Sequence, residues 1–113
     1  MENPKFQLLK SAADGQFYYR LRAENGEIIL RGEGFVSKLS CLKSIAAVKS
    51  NAAMDNRYER KDGRSIFAFS LKAANGEVIG TGESYPNTAA RENGIYAVKR
   101  DAATAPIEEL IYA

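Results

Sequence analysis

Residues 21–35 read LRAENGEIILRGEGF and residues 71–85 read LKAANGEVIGTGESY. Sliding the chain by fifty positions aligns residues 21–53 with 71–103 without a gap, and fourteen of the thirty-three pairs are identical. Ile28/Val78, Arg22/Lys72 and Phe35/Tyr85 are conservative partners in the same alignment. Self-similarity of this kind marks an internal duplication and precedes any other reading of the chain.

Working outward, each copy carries the same order of signals. A short apolar stretch comes first, at residues 6–10 and, more charged, at 57–60. Asp-Gly pairs follow at 14–15 and 62–63. Phe17 comes two residues after the first pair and Phe67 four residues after the second, so the second copy reads as having a two-residue insertion in its first turn. Alternating runs at 17–23 and 67–73 put Phe17, Tyr19 and Leu21, and likewise Phe67, Phe69 and Leu71, on one face of a strand. Asn25-Gly26 and Asn75-Gly76 stand between those runs and the β-like runs 27–31 and 77–81. Asn-Gly in that setting is a hairpin signal, because both residues tolerate positive φ. A two-residue loop would put Ile28 and Leu30 on the face of Leu21. A three-residue loop with Gly26 as a bulge would put Ile29 there, and the identity of Ile29 and Ile79 favours the bulge.

The end of each copy changes period. Leu42, Ile45, Val48 and Ala52 recur at helical spacing, as do Ile95, Val98 and Ala102. Ser37 and Asn87 are suited to cap the first turns, and Lys49, Lys99 and Arg100 to oppose the negative helix ends. Gly94 interrupts the second helix at a cost of about 1 kcal/mol relative to Ala. Its equivalent is the small Ser44, which predicts a close approach by another element. The unit is therefore β-β-β-α, with repeats at about 5–53 and 56–103. Fifty such residues alone would bury less than about 60% of their unfolded surface, so two copies are expected to pair into one sheet with a shared core. The 113 residues read as a single domain, 1–113. Pro106 closes the regular part, and the tail 104–113 is either frayed or an extra edge segment.

These residues also carry a family resemblance. An FYYxLRAENGEII-type hairpin, a GEGF or GESY step and a helix with NGIxAVK, in order and in duplicate, resemble the YegP-like family of small bacterial tandem-repeat proteins. The match runs from about Phe6 to Ala103. Asn93-Gly94-Ile95 keeps the helix motif intact, whereas the first copy has Lys43-Ser44-Ile45. The resemblance implies an α+β fold in which the two repeats form one six-stranded antiparallel sheet. Two helices would pack on one face, each crossing onto the other copy's strands. It implies no activity.

Composition narrows the function classes. Sixteen basic and fourteen acidic residues leave a net charge of +2, without the basic excess typical of nucleic-acid binders. Histidine is absent and Cys41 is the only cysteine. No metal, cofactor or disulfide is therefore expected, and Cys41 reads as a small core residue. No apolar run resembles a leader or a membrane span, so the expectation is a cytoplasmic protein without membrane association. GEGF and TGESY lack phosphate-loop spacing, and Gly32 and Gly82 read as bulges or bends.

The binding candidate is the sheet face opposite the helices, where Tyr18, Arg20 and Arg22 of the first copy and Lys72 of the second would lie. The favoured expectation is a non-enzymatic interaction module that uses this face, or a sheet edge, to meet a protein partner or itself. Nucleic-acid binding through Tyr18, Arg20, Arg22 and Lys72 is the alternative. An enzyme using the equivalent glutamates Glu33 and Glu83, with Glu27 and Glu77 a second equivalent pair, is the third.

Overall fold

The computed structural model describes residues 3–110. Strands β1 (Lys5–Lys10), β2 (Phe17–Arg22) and β3 (Ile28–Arg31) lead into helix α1 (Lys38–Asn51). A 3-10 turn (Asp55–Arg57) opens the second copy: β4 (Tyr58–Asp62), β5 (Phe67–Lys72), β6 (Val78–Thr81) and helix α2 (Thr88–Asp101). A last strand, β7 (Ile107–Leu110), follows. The strands form one sheet in the order β4-β5-β6-β3-β2-β1-β7.

The sheet is thus seven-stranded and mixed, not six-stranded and antiparallel. The tail supplies the difference. β7 runs parallel to β1, with Phe6 opposite Ile107 and Leu9 opposite Leu110. Phe6 N–H donates to Pro106 O at 2.8 Å. An otherwise open β1 edge thereby gains backbone partners, which local periodicity does not reveal. The rest of the tail, 111–113, lies outside the described residues.

The copies join at β3 and β6, where Arg31 pairs with Thr81. These are equivalent residues, fifty positions apart, so a pseudo-twofold axis passes between them. Leu30 lies over Gly80, which has no side chain to oppose it. The Tyr19 hydroxyl crosses the junction to donate to Ile79 O. One apolar cluster joins both copies and both helices, including Phe6, Tyr19, Leu30, Cys41, Ile45, Phe69, Ile95 and Val98. Both helices therefore cover the same face. α1 packs on β5 and β6 as well as on β1 and β2, and α2 packs on β3 as well as β5. The expected crossing of each helix onto the other copy's strands is present.

Local chemistry accounts for most element boundaries. Ser37 accepts from Ser40 N–H at 3.1 Å and Asn87 from Ala90 N–H at 2.8 Å, capping both helices. Gly26 and Gly76 adopt φ of 82° and 88°, and their N–H groups donate to Ala23 O and Ala73 O. Each hairpin is therefore a three-residue loop with a bulged glycine. A second irregularity, between Leu21 and Arg22, brings Leu30 opposite Leu21 and Ile28 opposite Arg22. Both Ile29 and Leu30 are buried in consequence.

Two further expectations are corrected. The Asp-Gly pairs are not equivalent. Lys10 pairs with Phe17 and Asp62 with Phe67, so Asp62 is the last strand residue while Asp14 lies in a turn. The second copy's first loop is shorter by two residues (six at 11–16, four at 63–66) rather than longer. Gly32 and Gly82 have no positive φ. They are small because the rings of Tyr19 and Phe69 lie across them, where a Cβ would collide. Gly94 is a close-approach glycine as expected, with the Tyr85 ring directly over it.

Candidate interaction face

On the uncovered side, directly opposed strand residues share a face, so the registers trace a rung across the whole sheet. In spatial order it runs Glu108, Gln7, Arg20, Arg31, Thr81, Ser70, Glu59. Arg20 lies near its centre. Gln7 Oε1 accepts from Arg20 Nε and from Arg22 Nε, each at 2.7 Å. Gln7 Nε2 donates to Glu108 Oε1 at 2.9 Å, so the amide is oriented from both sides. Arg22 Nη1 also donates to Gly26 O at 2.6 Å. These long side chains lie over the sheet, which is why Gln7 is buried on a face that no helix covers.

The charges on the rung are unevenly matched. Arg31 pairs with Glu83, Lys5 with Glu108 and Lys72 with Glu59. Arg20 has no carboxylate partner among the described residues. Partial burial, and then the neighbouring Arg22 and Arg31 guanidiniums, lower its pKa from the usual arginine value. It stays protonated, but its charge is poorly compensated. Tyr18 shares the face, and its hydroxyl donates to Asp14. That bond raises the Tyr18 pKa and lowers that of Asp14. Leu9, Tyr18 and Ile28 are half-buried and Val78 is exposed, so the same face presents apolar surface.

Tyr18, Arg20 and Arg22 are therefore brought together, as expected, and Lys72 is not. β3 and β6 separate its strand from β2, a distance of roughly 14 Å at ordinary strand spacing, and its ammonium is held by Glu59 at 2.8 Å. Glu33 and Glu83 do not form a pair. Glu83 is bound to Arg31, and Glu33 is exposed with no ion pair among the described residues. Gln7, Arg31 and Glu108 were missed by sequence reasoning. Only Gln7 left a trace there, as the polar member of an alternating strand.

The remaining candidates have structural roles. Cys41 is fully buried in the core, and burial pushes its thiol up to about 11, away from nucleophilic chemistry. The position equivalent to Cys41 is Arg91, whose stem is buried and whose guanidinium pairs with Asp62 and Glu92. Among the described residues no group of three His, Cys, Asp or Glu side chains could hold a metal ion. No helix among the described residues is long and apolar enough to cross a membrane.

Comparison with known proteins agrees with the duplicated architecture. The family described as a domain of unknown function (DUF1508) matches residues 12–59 and again 65–109. The UPF0339 protein YegP of Escherichia coli K12 is 50% identical over 56 residues, 50% of this chain and 50% of that protein. The UPF0339 protein in the ptx operon 5' region of Stutzerimonas stutzeri is 48% identical over 56 residues, 49% of this chain and 50% of that protein. These alignments span about half the length of the curated relatives. The solution NMR structure of E. coli yegP, a protein of unknown function, superposes with a TM-score of 0.88 at 39% identity, covering 98% of this chain and 96% of that one. That of a UPF0339 protein from Shewanella oneidensis gives 0.88 at 37% identity, covering 96% and 92%.

Proposed function

This chain belongs to the DUF1508 family, the YegP-like proteins of unknown function, and from that premise we propose that it is a non-enzymatic interaction module whose open sheet face docks an acidic protein surface. The observation that carries this reading is Arg20. It is set in the middle of the face by Gln7, has no carboxylate partner among the described residues, and lines a recess with Leu9, Tyr18 and Ile28. A carboxylate supplied by a partner would complete a charge-assisted pair there, and the apolar neighbours suit a protein surface.

Other modes are less well supported. The β4 edge carries Glu59, Arg60, Lys61 and Asp62 and the β7 edge carries Glu108 and Glu109. Charged edges discourage strand addition, so the face is favoured over the edge. Glu59, Glu83 and Glu108 interrupt the basic residues of the face, which disfavours a phosphate backbone. The test is affinity purification from the native cell with the wild type and with Arg20→Glu combined with Arg22→Glu. The expected result is a protein recovered by the wild type, lost with the double variant and insensitive to nuclease. Equal recovery by both baits, or recovery abolished by nuclease, would defeat the proposal. Light scattering on the purified chain identifies the case in which the partner is a second copy.

A further inference from the structure

Because each helix crosses onto the other copy, a cleft opens between it and the other copy's Asn-Gly hairpin. One, of about 430 Å³, lies between α2 and the first hairpin, with Ala23, Ile29, Gly94, Ala97 and Tyr85 among its lining. The other, of about 460 Å³, lies between α1 and the second hairpin, with Ala73, Ile79, Ser44, Ala47 and Phe35 in the matching places. Volumes of this size suit small molecules.

The linings point to what would enter. Ala23/Ala73, Ile29/Ile79 and Ala97/Ala47 are identical pairs that build an apolar floor. Asn25 and Asn75 are identical too, and the turn uses them: each Oδ1 accepts the N–H two residues on, at 3.0 Å. Glu27 and Glu77 are different. Both are exposed, and neither carboxylate enters an ion pair or hydrogen bond among the described residues. The fold has no evident use for the same acid at both cleft mouths. On the open face, by contrast, the copies have diverged, Tyr18 against Ala68 and Arg20 against Ser70. In the α2 cleft Glu24 adds a second carboxylate, with no ion pair among the described residues but close enough to Arg100 to help raise its pKa. The one basic lining residue there, Arg100, is engaged by Asp101 through two hydrogen bonds of 2.9 and 2.8 Å. The result is an apolar floor beneath a rim of net negative charge.

We propose that the α2 cleft binds a small ligand carrying a protonated amine on a compact apolar body, with Glu27 pairing the ammonium and Ile29, Ala97 and Tyr85 taking the apolar part. The α1 cleft is its weaker twin. Lys43 stands there in the place of Asn93 and puts a cation at the rim.

The site is separate from the open face, so it can be tested independently. The experiment is an NMR titration of the isotopically labelled full chain with 2-phenylethylamine, and with phenylacetate as a probe of the same body and opposite charge. Saturable shifts are expected for the amine at residues 23–29 and 90–97, with Glu27→Gln weakening binding about fivefold. Lys43→Asn should strengthen the response at residues 73–79. Absence of saturable shifts, equal binding of phenylacetate, or an affinity unchanged in Glu27→Gln would each overturn the proposal. Glu27 is exposed and unpaired, so the variant should fold, and its amide spectrum reports this directly.

Discussion

Gly94→Ala is the substitution for which helix propensity and packing disagree. Alanine in place of glycine inside α2 should stabilise the helix by about 1 kcal/mol. A Cβ at that position, however, would fall on the Tyr85 hydroxyl and within 2.7 Å of Cζ. Tyr85 cannot retreat freely, since its ring stacks on Phe69 with centroids 6.3 Å apart and an interplanar angle of 14°. Overpacking of this kind costs about 1–3 kcal/mol, so the net effect should be a loss of up to about 2 kcal/mol. For a domain of this size, a loss of 1 kcal/mol lowers Tm by roughly 4–8 °C. The first copy shows how the conflict is relieved, because Phe35 lacks the hydroxyl and stands with Ser44. Tyr85→Phe should therefore recover at least half of the loss when combined with Gly94→Ala. Urea unfolding of the wild type, both single variants and the double variant measures the coupling directly. A Gly94→Ala chain more stable than the wild type, or strict additivity of the two changes, would refute the reasoning.

Tyr19→Phe should cost about 1 kcal/mol, because removing its hydroxyl takes a partner from the part-buried Ile79 carbonyl across the junction between copies; an unchanged urea midpoint would count against a joint pinned by that bond. Asp55 should contribute to acid sensitivity. Hydrogen bonds from Lys99 and Arg60 hold its carboxyl at about 2, below the ordinary 3.8. A lowered folded-state pKa means that its stabilisation is complete above about pH 4 and is lost as pH falls through about 2. Asp55→Asn should accordingly flatten the fall in urea midpoint across that window, and an unaltered slope would contradict the assignment. Truncation after Thr104 removes β7 and the acceptor of Phe6 N–H. The shortened chain should lose about 1–3 kcal/mol and self-associate through the freed β1 edge, and sedimentation showing an unaltered, equally stable monomer would argue otherwise.

Turns and caps were legible because they depend on a few adjacent residues. Asn25-Gly26 specifies a positive-φ bulge, and Ser37 and Asn87 cap their helices through side chains three residues from the N–H they bind. The spacing of Ile45 and Val48, and of Ile95 and Val98, similarly announced which helix face is buried. Repetition at fifty residues established that the chain is built from two units. Other features had no local signal. The Asp-Gly pairs looked alike in sequence, yet only strand pairing shows that one is in a turn and the other begins at a strand end. Gly32, Gly82 and Gly80 are small for the sake of side chains far along the chain or in the other copy.

The candidate sites divide along the same line. Alternation placed Tyr18, Arg20 and Arg22 on one side of β2, and the duplication set Glu27 against Glu77. Tertiary structure alone decided that Gln7 orients Arg20, that Arg31 claims Glu83, that Lys72 stands apart, and that a cleft lies beside each hairpin glutamate. Periodicity and turn chemistry act over a few residues and can be read along the chain. Charge pairing and cavity shape depend on which strands become neighbours, and that is settled only when the two copies close on each other to bury a shared core.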